Sequence, residues 1–294
     1  NSPLVTLFEK DKVNEFSAYT QLDYSHKNWR FLIGGRFTDN ERSGQKTTPR
    51  VAVVYKLDEH QSLKLLYSTG FNSPNQSQTN LNLVGNVVGN DALAAEIVKT
   101  TDIAYSYSKS NVLFVANIYY LDAEDFIIRR FSDSFGTVSF FNEGNFQRKG
   151  AELDFQMATQ KSKLFINLAY QKEGNSIDVD DPASFNTPRF TFSAGASFDI
   201  GAGLDSSAST DRDTGTSLGI AHSIGGNLSY IGDRHNLDGF SVVNINYTAR
   251  ISDVEIFAVI RNVFAEDIVN PDNTTQNSDL TARGEEGVNF QVGL

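Results

Sequence analysis

Asn142–Met157, NEGNFQRKGAELDFQM, changes character half-way along, and its reading decides the fold. Asn142-Glu143-Gly144-Asn145 is turn chemistry, because glycine reaches positive φ without steric cost and asparagine tolerates it. From Gly150 the residues alternate. Ala151, Leu153, Phe155 and Met157 point one way; Glu152, Asp154 and Gln156 point the other. Successive side chains leave opposite faces of a strand, so period two predicts a strand here. That strand separates a wet side from an oily one. A soluble sandwich does this, and so does a membrane-spanning barrel.

Moving outward, the same alternation runs through about thirteen segments. Phe16, Ala18, Thr20, Leu22 and Tyr24 line one face of the first. Phe31, Ile33 and Phe37 oppose Arg30, Gly34 and Arg36; Val51, Val53 and Tyr55 oppose Arg50, Ala52 and Lys56. Leu63, Leu65 and Tyr67 oppose Lys64 and Ser68, and Ile103, Tyr105 and Tyr107 oppose Asp102 and Ser106. Towards the end, Val243, Ile245, Tyr247 and Ala249 oppose Asn244, Asn246, Thr248 and Arg250. Val254, Ile256, Ala258 and Ile260 oppose Glu255 and Arg261, and Val288, Phe290 and Val292 oppose Asn289 and Gln291. The segments run roughly 9 to 12 residues, the length a tilted strand needs to cross a bilayer. Strands of globular proteins cluster nearer about 5 to 6 residues.

The connections alternate too. Ser25–Asn28, Asp58–His60, Lys109–Asn111, Gln160–Ser162 and Ser252–Asp253 read as tight turns. Between them lie longer loops at Asp39–Thr48, Asn72–Glu96, Ile128–Phe141, Glu173–Pro188, Gly232–Gly239 and Ala265–Arg283. Short turns at one end and long loops at the other are the pattern of an outer-membrane barrel. A sandwich has no reason to sort its loops, so a soluble all-β protein is the weaker reading. Asp199–Gly215 breaks the rule: a long Gly/Ser/Asp-rich segment stands where a tight turn is expected, as an insertion or as a sign of a different strand register. The one helix-like piece, Asp91–Lys99, falls in a loop.

Composition narrows the function classes. The 294 residues carry a net charge of -11, which argues against a nucleic-acid surface. With 0 Cys there is no disulfide framework, thiolate metal site or Cys nucleophile. No apolar run approaches the ~20 residues of a spanning helix, which excludes helical membrane proteins but not barrels. His26, His60, His222 and His235 show no metal spacing. Motifs for a catalytic serine, a zinc protease or a phosphate loop are missing, so no catalytic residue and no cofactor is expected. His222 beside Ser217 or Ser223 is the nearest thing to a hydrolase pair. Asp178-Val179-Asp180-Asp181 could offer carboxylates to a hard cation, but a calcium loop carries more spaced ligands and a Gly turn; a solvated acidic loop explains it, and no metal site is expected.

These residues resemble a known family, the TonB-dependent outer-membrane receptors, in the C-terminal part of their barrel. Asn142, Gly144, Gly150, Glu152 and Leu153 match its N-x-G-x5-G-x-E-L pattern. Lys64-Leu65-Leu66-Tyr67-Ser68-Thr69-Gly70-Phe71-Asn72-Ser73-Pro74 resembles its K-x-x-Y-x-x-G-F-x-x-P hairpin. Ala95-Glu96 with Asp102 and Ala104 is similar to its P-E-x5-E-x-G strand start, with Pro, the second Glu and Gly replaced. Arg261-Asn262-Val263-Phe264 resembles its E-N-L-F strand end, and Gly287–Leu294 its closing strand, ending on Leu294 in place of an aromatic.

The resemblance implies an all-β fold: an antiparallel transmembrane β-barrel, present in part, as the last thirteen or so of about 22 strands. Residues 1–294 are expected to form one stretch of that barrel domain, with the family's plug absent. An open sheet would leave two bare edges in lipid, so such a fragment alone is expected not to form a stable barrel. The implied function is energy-coupled uptake of a ferric siderophore or similar scarce nutrient across the outer membrane of a Gram-negative bacterium. A passive or structural porin-like barrel is the alternative. Implied partners are a small-molecule ligand such as a metal chelate, outer-membrane lipid, the plug and the TonB energy complex, and no nucleic acid. The resemblance implies no enzyme activity. Arg36, Arg50, Lys56, Lys64, Asp102, Glu152, Asp154, Arg250 and Arg261 are expected to face the lumen and its plug, or to contact ligand directly. Ligand contacts are expected from Asn72–Val88, Phe131–Phe141 and Asn270–Asp279. Phe131, Phe135, Phe140 and Phe141 suit an aromatic chelate, or equally an interfacial girdle.

Overall fold

A chain of alternating segments satisfies its backbone by pairing neighbour to neighbour, and tight turns make each pair antiparallel. The computed structural model describes residues 12–83, 86–134, 136–174, 187–200, 220–234, 237–251, 254–271, 281–283 and 287–293. In chain order the strands are β1 (Glu15–His26), β2 (Trp29–Asn40), β3 (Gly44–Lys56), β4 (Gln61–Asn72), β5 (Asn82–Leu83), β6 (Val87–Val88), β7 (Glu96–Lys109), β8 (Val112–Ser132) and β9 (Thr137–Ala158). They continue with β10 (Ser162–Glu173), β11 (Phe190–Asp199), β12 (Ile220–Ile231), β13 (Phe240–Ile251), β14 (Val254–Arg261), β15 (Val269–Pro271), β16 (Thr281–Arg283) and β17 (Asn289–Gly293). Helix α1 (Gln76–Asn80) is the one helix among the described residues.

The sheet has 15 strands, ordered β1-β2-β3-β4-β7-β8-β9-β10-β11-β12-β13-β14-β17, with β5 and β6 off this path. The expected segments therefore correspond to the strands of the path, each beside its chain neighbour. β1 and β17 are the ends of the order, so the sheet is open, as a part of a barrel wall is. β15 and β16 pair separately.

Two compact units divide these residues. In the first, the β1–β4 register sorts the side chains as the alternation predicts. Leu22 opposes Ile33, Ile33 opposes Val51, and Val53 opposes Leu65, all on one face. Gly34 opposes Arg50 and Val54 opposes Lys64 on the other. The apolar face is not a covered core: Leu22 is 65% exposed and Ile33 54%. A soluble sandwich would bury such a face.

In the second unit the same sorting holds across β10–β14. Leu168, Phe192 and Tyr230 form one row of the apolar face, and Ile224, Tyr247 and Ala258 part of another. The opposite face carries Asn167, Ser193, Asn227 and Asn244, together with the opposed charges Arg250 and Glu255. Gly195 lies between Phe165 and Asn227, and Asn227 opposes Asn244. A Cβ on Gly195 would sit 2.5 Å from the Phe165 ring, so this glycine is there to seat an aromatic from the next strand.

The structure corrects several expectations. Asn142–Asn145 is no turn but lies inside β9, because its backbone is held in the ladder while its side chains bond elsewhere. Ile128–Phe141 is mostly strand: β8 runs to Ser132 and β9 starts at Thr137. Asp39–Thr48 shrinks likewise, with β2 ending at Asn40 and β3 starting at Gly44, which takes φ 73 in the tight turn. The helix is Gln76–Asn80 and not Asp91–Lys99, since Asn75 supplies a capping box that the later piece lacks. Ser223 and His222 leave opposite faces of β12, and His222 Nδ1 is 2.5 Å from Tyr247 Oη, so these two residues form no hydrolase pair. Ser217, the acidic loop Asp178–Asp181, most of the Asp199–Gly215 segment and Phe135 lie outside the described residues.

Candidate functional site

β8 and β9 are 21 and 22 residues long, against 14 for β7 and 12 for β10, the strands beside them in the order. At about 3.3 Å per residue the excess of β8 over β7 is roughly 23 Å of extra strand. The loop between β4 and β7 folds against this projecting hairpin. Val87 of β6 pairs in parallel with Val138 of β9. Thr137 Oγ1 donates to the Asn86 carbonyl at 2.7 Å and Ser139 Oγ to the Val88 carbonyl at 2.8 Å. Asn90 Nδ2 donates to the Phe140 carbonyl at 2.8 Å.

The seam ends at Asn142. Its Oδ1 accepts from the Ala94 amide at 2.7 Å, and its Nδ2 donates to the Ala94 carbonyl at 3.0 Å and to the Asp125 carbonyl at 2.7 Å. Asp125 sits at φ 57, a bulge conformation that Asp tolerates and β-branched residues do not. Bulging takes its backbone out of the ladder, and side chains of β9 replace the lost partners. Asn145 Oδ1 accepts from the Asp125 amide at 3.2 Å, completing the clamp. Gly144, between the two asparagines, is buried; a Cβ there would meet the Phe126 Cβ at 2.9 Å. Phe126 in turn packs edge-on against Phe146, 5.5 Å between ring centroids.

Four of the seven buried apolar residues among the described residues lie near the clamp. Leu93 (2% exposed) and Ala95 (0%) flank Ala94; Ala123 and Ile127 lie two residues either side of Asp125. Glu96 is buried, with its carboxylate accepting from the Ile127 amide and from Asn72 Nδ2, both at 2.8 Å. A carboxylate with these donors is tolerated out of water where a bare one is not.

Further along the hairpin, Arg130 donates from Nε and Nη2 to the Glu143 carboxylate at 2.6 and 2.5 Å. Its guanidinium lies over the Phe141 ring, 4.1 Å from the centroid. The hydrogen bond from Arg130 holds the Glu143 carboxyl below its ordinary pKa. Arg148 pairs with Glu173 at 3.1 Å and lies over Phe146.

Of the aromatic candidates, Phe131 is 59% exposed on β8, whereas Phe140 and Phe141 are half-buried on β9. They belong to two strands and not to one loop. The charged candidates scatter along the polar faces. Arg36 reaches Ser17 Oγ at 2.9 Å and Glu15 at 3.6 Å. Arg36 and Arg50 line a recess of about 350 Å³ with Tyr19, Gly34 and Ser68. Arg50 and Lys64 are exposed on the face of Gly34 and Val54. Asp102 accepts from Asn117 Nδ2 at 3.4 Å, and Asp154 from Gln156 Nε2 at 3.2 Å. Glu152 is exposed two residues from Asp154 on the same strand face. Arg250 pairs with its opposed Glu255 at 2.5 Å, and Arg261 donates to Gln291 Oε1 at 3.2 Å. The structure thus brings Arg36 and Arg50 together at one recess and sets Glu152 and Asp154 side by side on one face of β9. The sequence reading missed Asn90, Asp125 and the clamping roles of Asn142 and Asn145; the Asn-rich spelling of 142–145 was their only signal.

The fold and site can be set beside known proteins. A family model, "TonB dependent receptor-like, beta-barrel", matches residues 1–263. No curated protein matches the chain. Among solved structures, the ferric enterobactin receptor PfeA of Pseudomonas aeruginosa aligns with TM-score 0.69 at 17% identity, over 95% of this chain and 44% of that one. The FrpB iron transporter of Neisseria meningitidis aligns with TM-score 0.70 at 13% identity, over 95% and 44%. The siderophore receptor PirA of Acinetobacter baumannii aligns with TM-score 0.68 at 16% identity, over 97% and 46%. The chain thus spans less than half the length of each of these three, and identities this low speak for the fold alone.

Proposed function

The chain belongs to the family of TonB-dependent receptor β-barrels, and from that premise we propose that it serves in an outer-membrane receptor for energy-coupled uptake of a ferric siderophore or a similarly scarce nutrient. The observation that carries this reading is the two-faced register. Leu22, Ile33, Val51, Leu65 and Tyr67 give β1–β4 an exposed apolar face, while Arg36, Arg50 and Lys64 share the other. Exposed aliphatic and aromatic side chains opposite charged ones suit a wall between lipid and a polar lumen. PfeA, a fold relative, has been solved in complex with enterobactin.

In this reading the projecting β8–β9 hairpin and the loop folded on it stand on the cell exterior. Arg130, Phe131, Phe140 and Phe141 supply cationic and aromatic contacts to an anionic, ring-bearing chelate. The polar wall, with Arg50, Lys64, Asp102, Glu152, Asp154, Arg250 and Arg261, meets a plug that moves when the TonB complex pulls. No covalent chemistry is assigned to any residue.

Growth under iron limitation tests this. A strain lacking the gene should lose growth on one ferric siderophore, and the full gene should restore it only where the TonB complex is active. Restoration without that complex would make the protein a passive porin.

A further inference from the structure

Asn72–Val88 and Phe131–Phe141 read as separate ligand candidates; the loop that carries the first runs on to β7 and meets the β8–β9 hairpin along residues 86–96. The seam between them is unusual in kind. A single parallel bridge joins Val87 to Val138, and the remaining described bonds run from side chains: Thr137, Ser139, Asn90, Asn142 and Glu96. A backbone ladder depends little on sequence; this seam depends on its side chains. Asn142 is its most heavily used member, since both its amide hydrogens and its oxygen are engaged. No other side chain of this size offers two donors and an acceptor. Aspartate keeps the bond from the Ala94 amide and loses both donors.

We propose that Asn142 is a positioning residue that joins residues 86–96 and the upper β8–β9 hairpin into a single ligand-capture surface, by fixing Ala94 and the Asp125 bulge to one another. The ligand role rests on the receptor reading above; the coupling does not. Asn142 bonds a loop backbone and a bulge backbone simultaneously, so neither can shift without the other. The buried residues on both sides follow that pattern: Leu93 and Ala95 beside one anchor, Ala123 and Ile127 about the other. The Glu96 carboxylate crosses from the loop's end to the Ile127 amide and makes the second tie. Each tie is of the strength that local opening breaks without global unfolding. The surface therefore opens and closes as one unit, with Arg130 and Phe141 on the same strand pair.

Amide hydrogen exchange on the full-length receptor in detergent tests this, comparing wild type with Asn142→Ala. The informative amides are those of Gly89, Asn90 and Ile127, which bond to Leu81, Gln78 and Glu96 and never touch Asn142. Losing three hydrogen bonds should speed their exchange ~10-fold or more, together, with β1–β4 unchanged. Asn142→Asp should fall between. Faster exchange at Ala94 alone would overturn the coupling, and so would a rise spread evenly over the barrel. Should Asn142→Ala fail to assemble, Thr137→Val breaks the seam at its far end and should speed the same amides to a smaller degree; no change there would equally overturn it. No ligand enters the measurement, so a negative result counts against the coupling and leaves the receptor reading to the growth test.

Discussion

Asn142 and Ala94 are 48 positions apart, yet the asparagine amide takes both backbone groups of the alanine, N–H at 2.7 Å and C=O at 3.0 Å. A side chain here does what a neighbouring strand does elsewhere in the sheet. It pins Ala94, which lies outside any strand, to the β8–β9 hairpin.

The parallel bridge between Val87 and Val138 is the backbone part of that seam. The chain has 0 Cys, so Val87→Cys with Val138→Cys introduces a single possible pair. Facing positions on adjacent strands lie within disulfide range. Mild oxidation should close the bond, and peptide mass mapping of non-reduced digests should find it. Finding only free thiols would mean the loop does not rest on β9.

Asp125 sits at φ 57, where Asp pays a modest penalty and glycine almost none. Asp125→Gly should leave stability within about 0.5 kcal/mol of wild type, and Asp125→Val should cost about 1 to 3 kcal/mol, locally in the hairpin. Hydrogen exchange of β8 amides reads both. Equal effects from the two substitutions would count against the bulge.

Gly195 holds the Phe165 ring, with a Cβ there only 2.5 Å from the ring and 2.9 Å from the Gly226 carbonyl. Gly195→Val should cost about 1 to 3 kcal/mol through overpacking. Denaturant unfolding of the full receptor in lipid gives the value. Phe165→Ala should recover part of the loss, since it removes the flexible obstacle and leaves the backbone one.

The two faces of the β2–β3 pair predict opposite tolerances. Ile33→Arg puts a cation on the apolar face and should cost about 2 to 4 kcal/mol if the position lies near the bilayer midplane. Arg50→Gln, on the other face, should stay within about 0.5 kcal/mol. Unfolding in lipid vesicles compares them. Equal costs would contradict the assignment of the apolar face to lipid.

The Arg130–Glu143 pair gives the hairpin a pH dependence. Arg130 lowers the Glu143 pKa in the folded chain. A lowered carboxyl contributes order above its unfolded value, near 4.5, and loses it as pH falls through the folded value. A spin label on Ser134→Cys should therefore be restrained at neutral pH and gain mobility as acid protonates Glu143. In Glu143→Gln the label should be mobile throughout. An unchanged label in acid would show that the pair does not order the tip.

Period two was enough to place the wall. Ile33, Val51 and Leu65 share a face because alternation is a local property of each strand, and tight turns fix which strands are neighbours. The polar-face assignment of Arg36, Arg50 and Lys64 was legible for the same reason. Register slips by one residue would have turned every side chain over, and the alternation forbids them.

The upper hairpin was not legible. Asn142-Glu143-Gly144-Asn145 spells a turn, and the local rule is sound: these residues do favour turns. They serve a bulge in another strand instead, because Asp125 leaves the ladder and needs partners that only a short amide side chain can bring. Nothing local in the sequence says that Ala94 and Asp125 will lie within reach of one asparagine. The sequence by itself determined which residues face each side of the wall, since that depends on neighbours two positions away. Only the tertiary structure decided that a distant loop and a bulge meet at Asn142, since that depends on how far β8 and β9 outrun the strands beside them.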